Sequence, residues 1–175
     1  MMLFVVVGMP ASGKNIARSY AESKHIPFFA TGDVVREEVK RRGLEPNAEN
    51  TAMVSTQLRG ADGMGVTQLV LSHVKGSKSD LVFMEGIRSL QEVELIRKNV
   101  DCVVVAFVAP RKLRLERIMS RGRSDDSADA FDDRDMREIA YGASVPVALA
   151  DGYILNTRSM EDAMDDLDNI VKNYV

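Results

Sequence analysis

The sequence predicts an α/β fold: a three-layer sandwich around a mostly parallel, five-stranded sheet. Three observations point to it. Five short apolar runs, rich in β-branched residues, read as buried strands: Leu3–Val7, Ile26–Thr31, Ser79–Ile87, Cys102–Val108 and Gly152–Leu155. Helical periodicity fills most of the chain between them, the alternation that builds parallel sheets. The first strand runs into Gly8, Gly13 and Lys14 in the spacing G-x-x-x-x-G-K, with a helix start directly behind.

That opening stretch organises the rest. Glycines at Gly8 and Gly13 let the backbone of Met9, Pro10, Ala11 and Ser12 wrap closely around a phosphate. The free N–H groups of the helix start point at the anion, and Lys14 reaches the outer phosphates as a point charge. The next residue in such loops is Ser or Thr, whose hydroxyl ligates magnesium. Here it is Asn15, whose amide oxygen offers a different ligand geometry. The plainer reading is a glycine turn that binds nothing; the lysine, the spacing and the context all argue against it.

Taken in order, the first helix should run from about Gly13 to Lys24, with Ile16, Ala17, Tyr20 and Ala21 inward. Pro27 suits the edge or start of the second strand. Gly32 and Asp33 read as a turn, with Asp33 as a helix cap and Gly43 as the stop. Asn47–Leu58 is a weaker helical stretch and Val66–Val74 another helix, around Gly60, Gly63 and Gly65, which read as a hinge or as an ordinary loop. The region of about 34–74 is thus a helical lobe set on the sheet. Further helices are expected at Leu90–Arg97, Arg111–Arg121, Ala130–Ala143 (stopped near Val145–Pro146) and Ser159–Tyr174. The last opens with a capping box of Ser159 and Asp162, and its acidic residues read as a solvated face.

At 175 residues the chain reads as one domain. A net charge of −3 argues against a general nucleic-acid binder. Cys102, the one cysteine, reads as a buried small residue, and with only two histidines no zinc cluster or disulfide framework is available. The N-terminal apolar run is too short for a membrane span and lacks the basic flank of a signal peptide, so the cytoplasm is the expected location.

Two more constellations carry chemistry. Glu85 ends the third strand, and ligands of open α/β sheets bind at the carboxyl ends of strands. It reads as a partner of magnesium or its waters, or as a cap of the following turn; Arg88 close by suits a phosphate. Arg117, Arg121, Arg123, Arg134 and Arg137 bracket a polar, turn-like segment with Asp125 and Asp126, as expected of a lid over a moving phosphoryl group (about 121–137). Ordinary salt bridging, or a patch for RNA phosphates, are the other readings of the same arginines.

With the phosphate loop, GDVVREEVKRRG, MEGIR and RGRSDD in this order, the chain resembles the nucleoside monophosphate kinases, with adenylate and cytidylate kinases as named relatives. More closely, and over nearly its whole length, it resembles an archaeal family of small kinase-like P-loop NTPases of unassigned function, also likened to dephospho-CoA kinase. The resemblance implies that Gly8 to Lys14 hold ATP phosphates, and that Thr31, Gly32, Asp33 and Arg36 open the acceptor site, with Arg36 and Arg88 on the acceptor phosphate. It implies that Glu85, with Asn15, serves magnesium. It implies that Arg117 approaches the donor nucleotide, that Arg121, Arg123, Arg134 and Arg137 form the lid, and that the loop of Asn156, Thr157 and Arg158 lies by the adenine. Arg88 falls one place early against the kinase pattern and the proline of that run is missing.

The expected activity is magnesium-dependent transfer of the ATP γ-phosphoryl to a small nucleotide-like acceptor, by a monomer or homodimer with no membrane partner. Asp33 is the candidate base should the acceptor be a hydroxyl. Two other classes fit the same residues: an ATPase switch acting on protein or RNA, and a non-catalytic nucleotide-binding scaffold.

Overall fold

The computed structural model describes residues 1–122 and 126–175. In chain order the elements are β1 (Met2–Val7), α1 (Asn15–Ser23), β2 (Phe28–Ala30), α2 (Thr31–Arg41), α3 (Ala48–Arg59), α4 (Gly65–Gly76), β3 (Leu81–Glu85), α5 (Leu90–Arg97), β4 (Cys102–Val108), α6 (Arg111–Arg121), α7 (Ala128–Ala140), α8 (Ser144–Ala148), β5 (Gly152–Leu155) and α9 (Met160–Lys172).

The five strands pair in the order β2-β3-β1-β4-β5, and every pairing is parallel. Each face of the sheet carries its own core. On one side Phe4, Val6, Phe83, Val105 and Phe107 pack against Tyr20 of α1 and Leu167 of α9; on the other Leu3, Val5, Met84 and Val104 meet Val70 of α4 and Ile96 of α5. Alternate residues of one strand therefore serve opposite layers, which is why the strands read as unbroken apolar runs. A third, smaller cluster of Val35, Val39, Val54 and Val66 joins α2, α3 and α4. The register sets Glu85 beside both Val6 and Ala30, so the ends of β1, β2 and β3 converge on it.

Several local expectations shift. Asp33 does not cap α2. The helix begins at Thr31, with Ala30 at the cap position and no side-chain cap, so Gly32 and Asp33 lie in its first turn. There Asp33 suits the positive end of the helix dipole. The first helix starts at Asn15 rather than Gly13, because the glycine belongs to the loop at φ +106°. Pro146 does not end a long helix: Gly142, at φ +91°, ends α7, and Pro146 sits inside α8, where the first turn has no N–H bond for it to break. Asn47, Ser89, Ser127 and Ser159 cap α3, α5, α7 and α9, the last as a full capping box. The acidic face of α9 is not merely solvated. Asp168 accepts from Tyr20 Oη at 2.8 Å and pairs with Lys24 and Lys172, tying α9 to α1. The glycine corner between α3 and α4 is tight: a Cβ on Gly65 would stand 1.9 Å from the Leu58 carbonyl oxygen. Among the described residues no helix is long and apolar enough to cross a membrane.

Candidate active site

The loop after β1 is shaped by positive φ at Gly8, Ala11 and Gly13 (+155°, +59° and +106°). Neither glycine tolerates a side chain. A Cβ on Gly13 would lie 2.0 Å from Asn156 Nδ2, and one on Gly8 would lie 2.5 Å from Ser12 Oγ. Lys14 folds back over the loop and donates from Nζ to the carbonyls of Gly8 (2.7 Å) and Met9 (3.2 Å). Burial pushes its ammonium down from the ordinary 10.5, while Glu85 pulls it partly back.

The loop is held from outside. Arg114 Nη1 donates to Pro10 O at 3.0 Å, Arg117 Nη1 to Ala11 O at 3.2 Å, and Asn156 Nδ2 to Ser12 O at 2.9 Å. Arg117 Nη2 also reaches Asn156 O at 2.8 Å. Arg114 is itself locked in a two-bond pair with Asp135 of α7, at 2.8 and 2.6 Å. Both residues are buried, and the Phe131 ring lies 5.1 Å from the Arg114 guanidinium. Ser12 Oγ is buried and, among the described residues, has no hydrogen-bond partner.

Against this loop lies a cavity of about 680 Å³, lined among others by Gly13, Lys14, Asn15, Glu85, Arg117, Arg121, Asn156 and Arg158. Beside it a second cavity, of about 310 Å³, is walled by Thr31, Gly32 and Gly86 and by four arginines, Arg18, Arg36, Arg59 and Arg88. Glu85 lines both. A third hollow, of about 640 Å³, continues from the second past Arg59 and Arg88 to Tyr141. Gly86 is forced by this packing: at φ +99° a Cβ would come 2.0 Å from Thr31 Oγ1.

Other sequence-derived candidates fall into place unevenly. Asp33 pairs with Arg18 at 2.8 Å and with Arg36. Burial alone would raise its carboxyl, but hydrogen bonds from the two guanidinium groups outweigh that and hold it below the usual carboxylate range. Arg88 lies 3.5 Å from Glu138 and over the Tyr141 ring. Arg121 and Arg134 converge on Asp126, at 2.5 and 3.9 Å. Arg158 pairs with Asp162 and Asp166 at the cavity rim. Thr157 and Arg137 are exposed and line none of these cavities. Arg123 and Asp125 lie outside the described residues. Sequence reasoning missed Arg18, Arg59, Arg114 and Asp135, whose partners lie on other elements.

Comparison with known proteins agrees with this fold. A family model described as an AAA domain matches residues 7–132. A UPF0200 protein of Methanosarcina barkeri is 38% identical over 100% of this chain and 97% of its own length. Its counterpart in Methanocaldococcus jannaschii is 38% identical over 100% of this chain and 91% of its own. Among solved structures, TT1252 from Thermus thermophilus superposes with a TM-score of 0.70 at 18% identity, covering 99% of this chain and 98% of that one. Shikimate kinase from Aquifex aeolicus does so with a TM-score of 0.62 at 15% identity, covering 99% and 97%. Parallel sheet, glycine loop and full-length likeness thus coincide: the chain belongs to the UPF0200 family and carries a kinase-like P-loop domain of the AAA type.

Proposed function

We propose that the protein binds ATP at the Gly8–Lys14 loop and transfers its γ-phosphoryl group to a small, anionic, nucleotide-like acceptor in the neighbouring cavity. One observation carries the reading: two cavities, one on the phosphate loop and one walled by four arginines, share Glu85. A donor and an acceptor must lie side by side for in-line transfer, and this chemistry needs placement and charge neutralisation more than covalent help.

Lys14, already aimed at the loop, would leave the Gly8 and Met9 carbonyls for the outer phosphates. Arg121 and Arg134, from α6 and α7, with Arg137, would form the closing side. Arg117, Asn156, Thr157 and Arg158 would border the nucleoside. Asn15 and Glu85 line one cavity and offer hard oxygen donors. Among the described residues no group of three His, Cys, Asp or Glu forms a metal cage. That suits magnesium, which takes one or two protein oxygens and completes its shell with phosphates and water. Magnesium bound there would neutralise charge on the transferring group.

On the acceptor side, Thr31, Gly32, Arg36 and Arg88 would meet the anion, joined by Arg18 and Arg59. The carboxyl of Asp33, held ionised between two arginines, fits a residue that orients them. An acceptor that is already an ionised phosphate needs no base, and we take that as the acceptor chemistry.

The test is incubation with labelled ATP, magnesium and a panel of nucleoside monophosphates and dephospho-CoA, beside a Lys14→Ala control. The expected result is one newly phosphorylated nucleoside monophosphate, lost in the control; transfer to dephospho-CoA, a hydroxyl acceptor, would make Asp33 the base instead. Slow ATP hydrolysis indifferent to every acceptor would replace this reading with a nucleotide switch. Tight ATP binding without turnover would replace it with a scaffold.

A further inference from the structure

Three successive loop carbonyls, those of Pro10, Ala11 and Ser12, each accept from a side chain that arrives from far along the chain. In a trans peptide the C=O and the following N–H point opposite ways, and this chain has no cis peptide among its described residues. Fixing Pro10 O therefore fixes the direction of the Ala11 N–H, and fixing Ser12 O fixes that of Gly13. Ala11 and Gly13 both line the cavity on the phosphate loop. Ala11 also holds a left-handed backbone without being glycine, a conformation that persists only when its surroundings impose it.

Arg114 is the residue that does this at Pro10. Its Nη1 serves Pro10 O and Asp135 together, and its Nη2 serves Asp135 alone. Fold stability is a weak reason for such a pair. Buried ion pairs contribute little beyond well-packed apolar residues of the same size. A guanidinium whose fork meets a carboxylate and a loop carbonyl at once is a rigid strut in a way that an apolar pair is not.

We infer that Arg114 is a positioning residue of the phosphate loop: anchored by Asp135 on α7, its guanidinium sets the Pro10 peptide and thereby aims the Ala11 N–H at a bound polyphosphate. The inference rests on the reading that this loop binds ATP, and it adds a consequence. Helix α7 is bonded, through one arginine, to the backbone that would hold the phosphates. Arg114 touches no reacting atom and acts through the loop.

Calorimetric titration with inorganic tripolyphosphate tests it, since that probe reads the loop without base or ribose. Arg114→Met/Asp135→Leu removes both charges and keeps the volume apolar. It should melt near the wild-type temperature yet bind tripolyphosphate roughly tenfold to a hundredfold more weakly, the worth of one charge-assisted hydrogen bond. Ser159→Ala removes the cap of α9 and touches neither the loop nor Arg114; it should melt lower and bind the probe as the wild type does. This crossed pattern supports the inference. A double variant with wild-type melting and wild-type affinity overturns it, as does affinity that simply follows melting temperature in both variants. Should the double variant not fold, Arg114→Leu/Asp135→Asn takes its place under the same two readings. A wild-type protein that binds neither ATP nor tripolyphosphate overturns the functional reading itself, a result distinct from either of these.

Discussion

Lys14 shows how burying one charged residue can cost the unliganded fold stability. Its ammonium is desolvated in the loop and donates to two carbonyls, those of Gly8 and Met9. Its pKa lies below the ordinary 10.5, burial being the largest cause. Between that lowered value and 10.5 the unfolded chain holds the proton more tightly than the folded one, so Lys14 makes stability rise with pH across that window. Lys14→Met should remove this rise and leave the unliganded protein more stable, by roughly 1 kcal/mol, while abolishing ATP binding. Chemical denaturation across alkaline pH, paired with an ATP titration, checks both halves. Lys14, Gly8 and Gly13 were legible because a phosphate loop is a local object whose spacing survives in one dimension. Arg114 and Asp135 were not. A buried ion pair between two helices, 21 positions apart, leaves no local signature, and each looked like one more charge on an amphipathic face. Arg18 and Arg59 escaped notice for the same reason: they meet in a cavity only because α1 and α3 converge on the end of β3.

At the scale of elements, what the sequence makes readable is what is settled locally. The capping box of α9 is such a case: Ser159 Oγ accepts from Asp162 N at 3.1 Å, and the Asp162 carboxylate accepts from Ser159 N at 3.1 Å. Ser159→Ala should cost about 1 kcal/mol, seen as a lowered denaturation midpoint with unchanged slope, and should leave nucleotide affinity as it was. The central strands β1, β3 and β4 were readable because both of their faces are covered, so that their apolar runs had no polar alternation to blur them; edge strand β5 leaves Tyr153 and Leu155 exposed. Boundaries were harder. Asp33 looked like a cap, but β2 stops at Ala30 and the helix starts one residue later, before any capping side chain. Pro146 looked like a stop because its ring forbids a helix behind it; placed in a first turn it forbids nothing.

Across the whole molecule, ion pairs on the outer helices add to the apolar packing. The Asp168 carboxyl is held at about 2, against an ordinary 3.8, by its bonds to Lys172 and Tyr20, and Glu38 is held at about 2 by Arg41 and Arg42. A lowered carboxyl pKa contributes stability that is complete above the unfolded value and lost as pH falls through the folded one. Stability should therefore decline from just above pH 4 down to about pH 2, and Asp168→Asn should flatten part of that decline in an acid-denaturation series. The parallel fold class was legible from alternating strands and helices. The sharing of Glu85 between cavities was not, because it depends on the order β2-β3-β1, which no stretch of sequence states. The three clamped carbonyls of the phosphate loop bear on how the protein comes into being. The loop ends at Lys14, yet its last fastening, Asn156, is made 144 positions beyond Ser12. A ribosome delivers the amino end first, so the nascent loop has its own short bonds early but waits for its last clamp until almost all of the polypeptide has emerged. The setting of the loop is thus completed only near the end of translation, and a truncated product lacking Asn156 would carry the full glycine motif without its last fastening.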